Sequence, residues 1–135
     1  MTAEASRTVP VLRWPLVAGA MFGLLAVMAG AFGAHGLRRM VSERALEVFQ
    51  TAVTYQMYHA LALVLVAVLA GLGLSRQLLG AAAWFYLTGI LLFSGSLYLL
   101  VFTGYHWLGP VTPLGGVCFM IGWGLLVTAG LRRQG

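Results

Sequence analysis

Four apolar stretches follow one another along this chain of 135 residues, separated by short polar segments. They cover residues 14–34, 51–74, 78–102 and 113–131, and none of them contains Asp, Glu, Lys or Arg. A helix rises about 1.5 Å per residue, so roughly 20 apolar residues cross a hydrocarbon core of about 30 Å. The chain is therefore predicted to be an integral membrane protein.

The predicted fold is all-α, an integral membrane four-helix bundle with short loops. Hydrophobic residues make up 61% of the chain and charged residues 8%, against roughly 45–50% and 25% in soluble domains. A polar arm at 1–13 precedes one transmembrane domain at 14–133, with spans at about 14–34, 46–74, 78–102 and 113–131. The first stretch exceeds the roughly 7–15 apolar residues of a signal peptide, which favours a retained span.

The start of the second helix carries a capping signal. Ser42 is the predicted N-cap, and Glu43 in the first turn suits the helix dipole, so this helix is expected to begin outside the hydrocarbon. Glu43 and Glu47 flank Arg44, a pattern that favours ion pairing at the membrane surface over acid–base catalysis.

All eight basic residues are arginines, and they lie just outside the apolar stretches. Four crossings put five of them on the side of the termini and three on the other side, which favours cytoplasmic termini in a bacterial inner membrane. The larger group is Arg7, Arg13, Arg76, Arg132 and Arg133, and the smaller group is Arg38, Arg39 and Arg44. No basic run with interleaved aromatics is present, so nucleic acid is not an expected partner.

Small residues form seams along the first and fourth helices. In membranes, helices associate by close backbone approach at such residues, which favours packing inside the bundle over a dimerisation face. The seams are Gly19, Gly23, Ala26, Gly30 and Gly33 in the first helix, and Gly115, Cys118, Gly122 and Ala129 in the fourth.

Polar side chains form a stripe on the second helix. At about 100° per residue they share an arc of roughly 100°, and lipid is a costly environment for them. The stripe is interpreted as a structural network that joins this helix to its neighbours, or as a polar funnel for a solute or proton. Its members are Glu43, Glu47, Gln50, Thr51, Thr54 and Tyr58, with Tyr55 beside them.

The three histidines do not predict a metal or haem site. His35 and His106 belong to one side of the membrane, whereas His59 lies about nine residues below Gln50, roughly 13 Å deeper. No short metal-ligand spacing occurs, so no cofactor is expected. His59 is predicted to be buried and hydrogen-bonded to a hydroxyl or carbonyl, and as an ionisable group in the membrane it is the best single functional candidate.

Four ordered motifs resemble those of the YgdD-like family of small four-span membrane proteins, which has bacterial members and an animal relative. They read GAFGAHGL at 30–37, FQTAVTYQMYHAL at 49–61, FSGSLY at 93–98 and GPVTPLGG at 109–116. The resemblance covers nearly the whole chain and implies an inner-membrane location, but no chemistry. Its motif positions include His35, Glu47, Gln50, Thr51, Tyr55, His59, Ser94, Tyr98, Pro110 and Pro113.

Three functions are compatible with these observations. The first is a non-enzymatic accessory, scaffold or lipid-interacting component, with membrane lipid and a homo-oligomer or larger complex as partners. The second is conduction of a small solute or proton along the second helix, and the third is binding of haem, quinone or copper. Ser94 and Tyr98 of the third helix are predicted to hydrogen-bond across helices. The candidate functional face is His35, Glu47, Gln50, Thr51, Thr54, Tyr55, Tyr58, His59, Ser94 and Tyr98.

Overall fold

The computed structural model describes residues 9–132 and is helical throughout its regular elements. Four spans are long and apolar enough to cross a membrane, which confirms the predicted all-α membrane fold. Residues 1–8, including Arg7, and Arg133 in the C-terminal tail lie outside the described part of the chain. The helices are α1 (Arg13–His35), α2 (Glu43–Gly71), α3 (Arg76–Gly89), α4 (Gly95–Thr103) and α5 (Val111–Leu131).

Local signals fix the ends of the helices. The Ser42 hydroxyl oxygen accepts a hydrogen bond from the backbone N–H of Ala45 at 3.1 Å, which confirms the predicted N-cap of α2. Ser75 caps α3 in the same way, through the N–H of Leu78 at 3.3 Å. Gly104 ends α4 with φ of 72°, a left-handed conformation that glycine adopts without steric cost.

The third span is not one regular helix. A π-helical turn at Ile90–Ser94 joins α3 to α4, and the N–H of Gly95 donates to the carbonyl of Ile90, five residues back. The turn lies where α5 comes closest, since a Cβ on Gly115 would collide with the backbone of Phe93. The sequence predicted an uninterrupted helix at 78–102, whereas the wider turn adapts this span to its neighbour.

Helices that follow one another in sequence are neighbours in space. α1 packs along α2, α2 packs on the third span, and α3 with the π turn packs on α5. α2 consequently carries the largest set of buried residues, among them Phe49, Leu63 and Val66. Neither α1 nor α5 covers the remaining side of α2, so the residues on that side are exposed.

The small-residue seams pack inside the bundle, as predicted. A Cβ on Gly19 would lie 2.7 Å from the carbonyl oxygen of Ala60, and one on Gly33 would lie 3.0 Å from the ring of Phe49. On α5, a Cβ on Gly122 would lie 2.6 Å from the ring of Tyr86. These glycines therefore set the α1–α2 and α3–α5 separations.

Candidate functional site

The polar stripe of α2 lies on the uncovered side of the helix. Within residues 9–132 its side chains make only local bonds: Arg44 Nη1 lies 3.5 Å from Glu47 Oε2, and the Thr51 hydroxyl donates to the Glu47 carbonyl at 3.0 Å. The ion pair confirms the predicted pairing for Glu47, whereas Glu43 has no salt-bridge partner within residues 9–132. The exposed residues of the candidate face on α2 are Glu47, Gln50, Thr51, Thr54, Tyr55 and Tyr58.

This stripe covers only half of the membrane. α2 has 29 residues and is therefore about 43 Å long, so Tyr58 lies close to its midpoint. Beyond Tyr58 the uncovered side continues with Leu61, Leu65 and Val68, all exposed and apolar. We call the exposed line of residues with alternating four- and three-residue steps the α2 seam: Glu47, Thr51, Thr54, Tyr58, Leu61, Leu65, Val68 and Leu72.

His59 joins α2 to α5 at mid-membrane depth. The indole N–H of Trp123 donates to its Nε2 at 3.0 Å, so Nδ1 carries the proton and donates to the Tyr55 carbonyl at 2.7 Å. Its ring stacks on Phe119, with centroids 3.5 Å apart and planes 6° apart. The prediction of a buried, carbonyl-bonded histidine is confirmed, and a metal would have to break one of these bonds to gain a nitrogen ligand.

A groove between α2 and α5 opens beside this histidine. It has a volume of about 510 Å³ and a mainly apolar surface. Gly116 borders it on α5, where an added Cβ would meet open space. The stripe and the groove meet at Tyr55. The groove is lined by Tyr55, Tyr58, His59, Leu61, Gly116, Phe119, Met120 and Trp123.

A second polar group is centred on Gln56, which the sequence analysis did not include among the candidate residues. Gln56 is 4% exposed on the opposite side of α2. Its Nε2 donates to the Phe22 carbonyl of α1 at 2.8 Å, and its Oε1 accepts from the Tyr98 hydroxyl of α4 at 2.6 Å. One amide thus joins three spans, and an amide on an otherwise apolar helix face was the sequence signal for it.

Serines of the third span add two more bonds between helices. The Ser94 hydroxyl donates to the Ala52 carbonyl of α2 at 2.7 Å, and the Ser96 and Thr112 hydroxyls lie 2.6 Å apart. The predicted cross-helix bonding of Ser94 and Tyr98 is therefore confirmed. Both side chains approach α2 from the side opposite to the stripe.

An apolar crevice lies between α1 and α4, with α2 as its floor; we call it the α1–α4 crevice. Its volume of about 440 Å³ falls in the range of roughly 300–1,000 Å³ typical of ligand pockets. Gln56 and Tyr98 reach it, but nearly all of its surface is apolar because they bond to each other. Its lining is Phe22, Leu25, Ala29, Phe32, Phe49, Gln56, Ile90, Leu91, Ser94, Gly95, Tyr98 and Phe102.

The structure thus divides the candidate residues among three places. The exposed α2 residues stay together on one face, His59 belongs to the α2–α5 contact, and Ser94 and Tyr98 belong to the crevice wall. His35 lies exposed at the end of α1, apart from all three places. Within residues 9–132 there is no group of three His, Cys, Asp or Glu side chains that could hold a metal ion.

Four apolar spans, hydrogen bonds between helices and short connections define a small integral membrane protein of unestablished activity. Residues 29–116 match the family described as "Protein of unknown function (DUF423)". The chain belongs to this family, whose curated relatives are named UPF0382 membrane proteins.

Close relatives come from species of Bacillus and Staphylococcus. The UPF0382 membrane protein YwdK of Bacillus subtilis (strain 168) is 47% identical over 117 residues, which cover 87% of this chain and 95% of the relative. A UPF0382 membrane protein of Staphylococcus aureus (strain bovine RF122 / ET3-1) is 45% identical over 120 residues, covering 89% and 97%. No solved structure matches the chain.

Proposed function

We propose that this protein is a non-enzymatic scaffold of the bacterial inner membrane whose working unit is a pair of chains joined along the α2 seam. The observation that carries the proposal is the exposure of Thr54 and Tyr58 on the outside of the bundle at membrane depth. Polar groups there lack water and lack partners on neighbouring helices of the described chain. A second polar surface relieves that cost.

The spacing of the α2 seam suits a helix pair. Steps of four and three residues run from Glu47 to Leu72, which is the heptad pattern that places side chains of one helix between those of another. Leu61, Leu65 and Val68 supply apolar knobs in one half of the membrane. Thr51, Thr54 and Tyr58 supply hydroxyl groups in the other half.

A second copy of the chain is the occupant that this surface favours. A two-fold axis along the membrane normal brings each residue opposite itself at the same depth. Hydroxyl and amide groups both donate and accept, so Thr54, Tyr58 and the adjacent Gln50 can bond to their own kind. Arg44 and Glu47 lie at the headgroup end, where opposite charges on the second copy add complementarity.

Short connections support a non-enzymatic role. Residues 36–42, 72–75 and 104–110 link the spans and leave no room there for an extramembrane catalytic domain. The placement of the arginines supports cytoplasmic termini. The four motifs that resemble those of YgdD-like proteins support grouping those proteins with this family.

Disulfide cross-linking tests the pair. In a chain with Cys118→Ala, Thr54→Cys places one thiol in the α2 seam, and mild oxidation in native membranes is expected to yield a covalent dimer. Leu24→Cys is the matched control because Leu24 is also exposed and lies at the same depth. It is 11 residues from the end of α1 at His35, and Thr54 is 11 residues from the start of α2 at Glu43.

The two cysteine variants separate a specific pair from random collision. Dimer from Thr54→Cys with monomer from Leu24→Cys supports the α2 interface. Equal yields from both variants, or monomer from both, overturn it.

A further inference from the structure

We propose that the α1–α4 crevice is a binding site for one chain of an anionic phospholipid. The site lies on the side of α2 opposite to the seam, so it extends the proposed function without depending on self-association. Three features carry the assignment: the depth of the crevice, its apolar surface, and the charge of the segment that follows its α1 wall.

The crevice is as deep as one lipid leaflet. Its α1 wall runs from Phe22 to Phe32, ten residues or about 15 Å, and Phe22 lies near the middle of α1. Half of a hydrocarbon core of about 30 Å is the same length. On the opposite wall, Ile90 lies near mid-span and Phe102 lies near the end of α4. An acyl chain that enters from the headgroup level therefore ends at the floor by Gln56.

The surface of the crevice selects hydrocarbon. Gln56, Tyr98 and Ser94 bond to one another or to backbone carbonyls, so their polar atoms are already engaged. Phenylalanine rings from α1, α2 and α4 face the same space, with Phe49 6.3 Å from Phe32 and 6.2 Å from Phe102 between centroids. Gly95 leaves part of the α4 wall open, since a Cβ there would meet nothing within 4 Å.

Charge at the headgroup end selects an anionic lipid. α1 is followed by a 3₁₀ turn at Leu37–Arg39, and both Arg38 and Arg39 are exposed. Arg38 borders a cavity that it shares with Glu43 and Glu47 on the seam side of α2, so the headgroup contact is assigned to Arg39, which has no ion-pair partner in the described chain. Basic residues near the membrane surface attract anionic headgroups, each contributing about 1 kcal/mol. A phosphate at this level pairs with Arg39 while one acyl chain of the same lipid fills the crevice.

Lipid retention after purification tests this site. The protein is reconstituted in vesicles of equal phosphatidylglycerol and phosphatidylcholine, extracted in mild detergent and weighed by native mass spectrometry. We expect one retained lipid per chain, with phosphatidylglycerol preferred about fivefold, the ratio that about 1 kcal/mol from one arginine gives. Gly95→Leu fills the crevice and should reduce retention to the detergent background, and Ala29→Leu on the opposite wall should do the same.

Two controls locate the effect. Gly124→Leu adds the same side chain on α5 at a position that also has open space, and should retain lipid as the unmodified chain does. Arg39→Gln should keep one lipid and lose the preference, whereas Arg38→Gln should keep both. Unchanged retention by both crevice variants, or equal retention of the two lipids by the unmodified chain, overturns the proposal. These outcomes do not alter the cross-linking of Thr54→Cys.

Discussion

At the scale of single residues, Gly19 sets the distance between α1 and α2. An added methyl group would lie 2.7 Å from the Ala60 carbonyl oxygen and 2.9 Å from side-chain atoms of Leu63 and Val64. Gly19→Ala should therefore lower the unfolding free energy by about 1–3 kcal/mol, the usual cost of overpacking. Titration with a denaturing detergent in mixed micelles measures this. Gly124→Ala is the matched control, and because its Cβ meets open space it should be neutral or slightly stabilising.

Two tyrosines provide a test of buried hydrogen bonds. Tyr98 donates to Gln56, so Tyr98→Phe should lose about 1 kcal/mol and leave the amide oxygen unpaired. The Tyr86 hydroxyl is buried and has no partner among residues 9–132, so Tyr86→Phe should be neutral or stabilising. The same detergent titration compares them. Equal destabilisation by both substitutions would contradict the assigned hydrogen bonds.

Individual residues also show what the sequence could predict. The cap at Ser42, the burial of His59 and the packing role of Gly19 follow from rules that involve neighbours along one helix. Gln56 and Trp123 depend on which helix lies opposite, and that depends on the whole packing arrangement. A stripe is recognised by several polar residues on one helix face, and Gln56 is a single amide on an otherwise apolar face.

At the scale of helices, α2 differs on its two sides. The side towards α1 and the third span is buried and contains Gln56, whereas the opposite side carries the α2 seam. The sequence predicted the stripe but not its direction, because periodicity gives the relative positions of side chains and not the rotation of the helix in the bundle. The π turn at Ile90–Ser94 likewise lies where α5 comes close to the third span, and no local sequence signal predicts that approach.

The bond between His59 and Trp123 is a polar link between α2 and α5. We expect a double-mutant cycle with His59→Phe and Trp123→Phe to give a coupling energy of about 0.6 kcal/mol, the average for such bonds in membranes. Phenylalanine at position 59 keeps an aromatic ring against Phe119, so the cycle reports the interaction of the two side chains, which is the hydrogen bond together with their edge-on ring contact. Stability of the two single variants and the double variant supplies the measurement. Additive losses would mean that the bond contributes nothing.

At the scale of the whole molecule, the polar surface does not extend across the membrane. Past Tyr58, the exposed side of α2 is formed by Leu61, Leu65 and Val68, which offer an ion or proton no polar group. Vesicles that contain the protein should therefore acidify at the rate of empty vesicles under an imposed pH gradient. A protein-dependent proton flux that Glu47→Gln abolishes would contradict this and favour conduction along α2.

Orientation of the whole molecule depends on the arginines beside the spans. Counting four crossings along the sequence predicts Arg7, Arg13, Arg76, Arg132 and Arg133 on one side and Arg38, Arg39 and Arg44 on the other, and the side with more basic residues should remain in the cytoplasm. A fluorescent protein that folds only in the cytoplasm should thus be bright when fused after Arg132.

A fusion truncated after Gly104, three spans into the chain, is the internal control and should be dark. Replacing Arg76 and Arg132 with glutamine removes two charges from the retained side, so the full-length fusion should lose brightness as some chains insert the other way. A dark full-length fusion together with a bright truncated one would reverse the topology and place Arg38 and Arg39 at the cytoplasmic surface. The crevice would then open into the inner leaflet, and the lipid-retention experiment would concern the lipids of that leaflet.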